Sequence, residues 1–140
     1  MTVRETPDDV RNEDEVAEYL RERWLCDHQF KIGADFSPID RAFVRGDKLM
    51  ALCEIKTSSS AFSEKRRWGF VYVDLGKIEY ALAIKKMLGI PVFIAYRFTD
   101  GLRYIEPGWD YKIHKVGRTD RGDPADIREA CAVPLEEWKQ

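Results

Sequence analysis

Residues 39–56 read IDRAFVRGDKLMALCEIK, and this stretch decides how the rest of the chain is arranged. Ile39 to Arg45 mixes β-branched and aromatic residues, Gly46-Asp47 is a turn signal, and Leu49 to Lys56 is a second apolar run, so 39–56 reads as a β-hairpin. Strand alternation puts Met50, Leu52, Glu54 and Lys56 on one face and Leu49, Ala51, Cys53 and Ile55 on the other. An apolar row therefore ends in two charges. If the turn has three residues, Gly46 to Lys48, Arg45 pairs with Leu49 and Asp40 lies directly opposite Glu54 on the same face. With a two-residue turn the match is lost by one position.

Facing carboxylates destabilise a strand pair, and a cation between them removes the penalty. Two carboxylates, water and a phosphate oxygen are a ligand set that Mg²⁺ accepts, because it prefers hard oxygens and keeps several waters. Lys56 adds a positive charge suited to holding an attacking water or offsetting charge that develops on a phosphate. The alternative is a solvated hairpin surface on which Lys56 pairs with either acid.

Before the hairpin, Asn12 is a good N-cap with Glu15 three residues later, and Val16, Ala17, Leu20 and Trp24 recur at helical spacing, which predicts a helix over about 13–25. Gly33 to Pro38 is a loop rich in turn residues. After the hairpin, Thr57 to Gly69 (TSSSAFSEKRRWG) reads as a loop and Phe70 to Val73 as a short strand. Asp74 caps a helix to about Leu88, ended by Gly89. Ile90 to Phe98 is an apolar, central strand, and Asp100-Gly101 turns it into Leu102 to Ile105. The order α-β-β-β-α-β-β is that of an α/β domain with a mixed central sheet flanked by helices. Residues 107–140 read as an irregular extension, with a loop at 117–124 and apolar segments around Ala130–Leu135. With no repeat or long linker, 1–140 is expected to be a single domain.

The 140 residues are 44% hydrophobic and 12% aromatic, enough apolar surface to exclude wholesale disorder. No apolar run approaches the length of a membrane span, and the acidic N-terminus is not a secretory signal. Three cysteines (Cys26, Cys53, Cys131) without a Cys-x-x-Cys point to reduced thiols in a cytoplasm-like compartment, each a small core residue. His28 and His114 stand alone and read as structural, too few for a zinc site. The formal charge of −2 hides an uneven distribution. Residues 1–40 carry 5 Lys and Arg against 11 Asp and Glu, whereas residues 56–118 carry 12 against 6. A basic region thus follows the acidic motif.

Ser37-Pro38-Ile39-Asp40, thirteen residues and then Glu54-Ile55-Lys56 resembles the PD-(D/E)xK nuclease signature of restriction-endonuclease-like enzymes and Holliday-junction resolvases. The likeness spans about residues 12–106, because the element order also matches. It differs in having Ile39 between Pro38 and Asp40. The resemblance implies a Mg²⁺- or Mn²⁺-dependent phosphodiesterase acting on DNA and leaving a 5′-phosphate and a 3′-hydroxyl. Asp40, Glu54 and the backbone carbonyl of Ile55 would hold the metal, and Lys56 would position the water. It also implies an intracellular setting, phage or mobile-element sources, and a homodimer if the substrate is a junction.

Members of this group often add a glutamate from the leading helix. With Val16 at zero and about 100° per residue, Glu13 falls at about 60°, amid Leu20, Trp24 and Ala17, whereas Glu15, Glu18 and Glu22 point away. Glu13 is the choice and Glu18 the runner-up; the other reading of Glu13 is a first-turn acid complementing the helix dipole. Lys77 lies within the apolar arc of the second helix, where it reaches a DNA phosphate or the carboxylates, or snorkels past its neighbours. Lys65, Arg66 and Arg67, beside three serines and Trp68, are the candidate phosphate contacts. The charged run Arg118 to Asp123 reads as a self-satisfied network rather than a DNA groove. Two rivals remain: a nuclease-like module that binds DNA or protein without cutting, and a DNA mimic built on the acidic N-terminal region.

Overall fold

The first helix, α1 (Pro7–Arg23), begins nearly two turns earlier than the cap signal predicts. Pro7 has the preset φ suited to a first helical turn, so Asn12 falls inside the helix instead of capping it. α1 ends where Leu25 adopts φ 55° and the Cys26 N–H bonds back to the Arg21 carbonyl at 2.9 Å, a left-handed C-terminal cap usually given to glycine. The chain continues through β1 (His28–Lys31), β2 (Arg41–Arg45), β3 (Lys48–Thr57), β4 (Phe70–Asp74), α2 (Leu75–Leu88), β5 (Val92–Phe98), β6 (Gly101–Ile105), β7 (Lys112–Gly117) and β8 (Ile127–Pro134). This computed structural model describes residues 7–32, 39–117, 122–124 and 127–140, with side chains from residue 13 onward. The expected loop at 33–38, with Ser37 and Pro38, and Arg118, Thr119, Asp120 and Arg121 lie outside the described residues.

β1, β2, β3, β5 and β6 form a five-stranded sheet in that order, antiparallel except for the parallel β3–β5 pair, which β4 and α2 connect. The mixed α/β class follows from that crossover, since parallel neighbours need a long connection. Two expectations are corrected. β4 leaves the central sheet and pairs with β8 in a second, three-stranded antiparallel sheet ordered β4-β8-β7, so the segment expected to be irregular contributes two strands, β7 and β8. β1, a four-residue edge strand, is also additional to the predicted order.

The central sheet separates two apolar layers. Val16, Ala17 and Leu20 of α1 pack against Phe43, Ala51, Cys53, Ile55, Ala95 and Tyr104 on one face. On the other face Leu52 and Val92 meet Ala81 of α2, while Ile94, Phe98 and Ile105 meet Ile78, Val71, Val73 and Val133 from α2 and the second sheet. All three cysteines are buried and free. Among the described residues no helix is long and apolar enough to cross a membrane.

The hairpin combines both registers considered above. Its turn has two residues, with Gly46 at φ 60°, and pairs Arg45 with Lys48 and Val44 with Leu49. A bulge then makes Met50 an extra residue, so that Phe43 faces Ala51 and Arg41 faces Cys53, the pairing a three-residue turn would have produced. The bulge also takes Met50 from the Leu52 face to the α1 side, where it packs against that cluster.

Candidate active site

Asp40 is not a ladder partner of Glu54, because the β2–β3 ladder begins only at Arg41, one residue later. The Asp40 N–H reaches the Cys53 carbonyl at 3.1 Å, and its own carbonyl accepts from Ile32 N–H at 2.9 Å. Its carboxylate Oδ2 accepts the Ile55 N–H at 2.8 Å, taking the ladder position that β2 has vacated. A strand residue projects its N–H and C=O toward the same side, so the Ile55 carbonyl is on the same open edge of β3 as the Asp40 carboxylate.

Glu54, only 6% exposed, lies on the α2 face of β3. Lys77 of α2 forms an ion pair with it. Burial pushes the Glu54 pKa up, and Asp40 adds to that, against the opposing pull of Lys77 and Lys56. Lys56 follows on the same face. Burial first, then the adjacent Lys77 ammonium, push the Lys56 pKa down against the attraction of Glu54 and Asp74. Asp40, Glu54, Lys56 and Lys77 therefore form one electrostatically linked group, with Asp74 at its border. In the sequence Asp74 carries only the signature of a helix cap, not of this group. It stands at the N-terminus of α2 without a side-chain capping bond and instead accepts Arg128 Nε at 2.9 Å.

Glu13 is buried, at 7% exposure, but bonds elsewhere: Arg41 Nε approaches its Oε1 at 3.4 Å. Arg41 pairs with Cys53, so it shares the α1 face, opposite to the face carrying Glu54. The Arg41 guanidinium also donates to Gln29 Oε1 at 3.2 Å and to the Asp14 carboxylate. Glu18, the runner-up, is on the surface with Arg21 Nε at 2.7 Å. His114, expected to stand alone, has Nδ1 2.8 Å from the Tyr72 hydroxyl.

The loop after β3 is more ordered than its sequence indicates. Phe62–Arg67 forms a 3₁₀ helix whose first N–H groups are taken by Asp100: Phe62 N–H at 2.7 Å and Ser63 N–H at 3.1 Å donate to its carboxylate. The Arg103 guanidinium covers the Phe62 ring at 4.5 Å. Arg66 and Arg67 are left exposed and Lys65 half-buried. The Phe62 and Ser63 bonds hold the Asp100 pKa below the ordinary carboxylate range. Their stabilising contribution is thus present above the unfolded value of about 3.9 and is lost as pH falls through the lower folded value. Asp100→Ala is expected to lower the thermal midpoint at pH 7, with the gap from wild type closing in acid. An equal gap at pH 2 and pH 7 would show that the carboxylate is not the anchor.

Among the described residues no three His, Cys, Asp or Glu side chains cluster as a ready metal cage. The donors at the β3 edge nevertheless suit a hard, partly hydrated cation, which needs only one or two carboxylates with carbonyl and water oxygens. A buried glutamate with a raised pKa is stabilised as an anion by any cation brought beside it.

Asp40 just before β2, with Glu54 and Lys56 on β3, are thus brought together in a mixed sheet flanked by helices, the residues and the fold that the PD-(D/E)xK resemblance singles out. The chain belongs to the family described as "Phage putative PDDEXK endonuclease", which it matches over residues 2–140. Among solved structures, Hjc, a Holliday junction resolvase from Archaeoglobus fulgidus, is 17% identical with a TM-score of 0.43, over 64% of this chain and 71% of that one. No curated protein matches the chain.

Proposed function

We propose that the chain is a divalent-metal-dependent DNA endonuclease, with one nuclease domain built from both sheets. The observation that carries the reading is the Asp40 carboxylate held on Ile55 N–H beside buried Glu54, with Lys56 and Lys77 on the same side. Asp40, Glu54 and the Ile55 carbonyl would hold Mg²⁺ or Mn²⁺. Such an ion lowers the pKa of a coordinated water and acts as a Lewis acid on a phosphoryl oxygen.

Lys56 orients the water and offsets charge on the phosphate, while Lys77 fixes the Glu54 carboxylate. Glu13 acts as a positioning residue: it holds Arg41, and through it the strand end from which Asp40 projects. Lys65, Arg66 and Arg67 take flanking phosphates of the DNA, and on a branched substrate two copies of the chain each cut one strand. The products carry a 5′-phosphate and a 3′-hydroxyl.

The Lys77–Glu54 pair also favours a second reading, a DNA-binding module that does not cut, because an ammonium already neutralises the buried acid. One assay separates the two. Wild type is expected to cleave supercoiled, linear or branched DNA with Mg²⁺ and not with EDTA, and Lys56→Ala to lose that activity. Equal trace cleavage by both proteins at matched purity would reject the nuclease assignment.

A further inference from the structure

A pocket of about 460 Å³ opens beside this site, and no role in metal binding accounts for it. Its lining includes Ser58, Lys65, Trp68, Phe70, Tyr72 and Tyr96. A cavity of this size suits a small planar group. Trp68 is 59% exposed and Tyr72 41%, so both rings of the lining are open to an incoming group.

The rings are held in place. Phe70 and Tyr72 pack at 4.9 Å, the Tyr72 hydroxyl bonds His114, and the Arg67 guanidinium sits 5.1 Å from the Trp68 ring centre. Ser58 and Lys65 contribute a hydroxyl and a cation to the lining.

Position connects the pocket to the cutting site. Tyr96 of β5 is the register partner of Lys56, so the two side chains leave the same face of the sheet as neighbours. Burial, then Glu54 and Asp74, push the Tyr96 hydroxyl pKa up, consistent with a ring that borders both the carboxylates and the pocket. A base paired within a duplex has its faces covered by its neighbours, whereas an unstacked base offers them to aromatic side chains. The basic segment Lys65 to Arg67 favours an anionic strand over a neutral apolar partner.

Resting on the nuclease reading, we propose that the Trp68–Tyr72–Tyr96 pocket receives an unstacked base of the strand being cut. The enzyme therefore prefers DNA with unpaired bases over uniform duplex.

The test is binding in EDTA, followed by fluorescence anisotropy, with wild-type protein. Three oligonucleotides are compared: a perfect duplex, the same duplex carrying one unpaired 2-aminopurine, and a single strand. The unpaired base is expected to tighten binding by between about fivefold and a hundredfold, with quenching of 2-aminopurine. Trp68→Ala and Tyr72→Ala lose both effects, and Trp68→Phe restores them. Equal affinity for all three DNAs, or a preference unchanged in both alanine variants, would overturn the inference. A preference that persists where no Mg²⁺-dependent cleavage occurs would support the pocket and overturn only the cutting reading.

Discussion

Asp40→Asn and Glu54→Gln are each expected to reduce Mg²⁺-dependent DNA cleavage by about a thousandfold or more while leaving the fold intact. The size follows from the proposed chemistry: a metal contributes several kcal/mol of charge stabilisation, and about 1.4 kcal/mol is a factor of ten in rate. The fold is spared because both changes are nearly isosteric. Asn retains an oxygen for the Ile55 N–H, and Gln retains one for Lys77. What each removes is the negative charge, and with it a metal ligand. Cleavage is read by gel, and metal binding by the Mg²⁺-induced rise in thermal midpoint, which the wild type should show and Glu54→Gln should lack. Near-normal cleavage by either variant would remove that residue from the site.

Arg41→Ala is expected to destabilise the protein by about 3–5 kcal/mol, the range for losing one partner of a buried ion pair. Arg41 is 3% exposed and contacts Glu13, Asp14 and Gln29, so its loss leaves buried Glu13 without that cation. For a chain of this length the thermal midpoint falls by roughly 10–20 °C. Combining Arg41→Leu with Glu13→Leu is expected to recover much of the loss, because an apolar pair replaces a buried ionic one at little net cost. A double variant as unstable as Arg41→Ala would show that the ion pair is not the source. Glu13→Gln tests the positioning role. Loss of cleavage with unchanged Mg²⁺ binding is expected if Glu13 acts through Arg41, whereas loss of Mg²⁺ binding would make it a ligand.

Glu54 and Lys56 were legible because a two-residue period puts both on one face and their charges end an apolar row. Tyr96 was hidden in a strand whose apolar character argued only for burial; its register against Lys56 depends on a parallel pairing across the β4–α2 crossover. β7 and β8 were missed for a related reason. Their segments alternate weakly and are separated by turn-rich sequence, and their stability comes from pairing with each other and with β4, far away in the chain.

By itself, the sequence determined what local periodicity and turn chemistry control: α1 and α2, the hairpin, the apolar strand after Gly89, and the spacing of Asp40 from Glu54 and Lys56. Only the tertiary structure decided which buried charges meet. The Met50 bulge restores the register, the chain just before β2 carries the Asp40 carboxylate to Ile55 N–H, and the thickness of the sheet separates Glu13 with Arg41 from Glu54 with Lys77. A helical phase shows which way Glu13 points relative to its own helix. Which strand residue awaits it is set by register, and a one-residue shift in register exchanges the two faces.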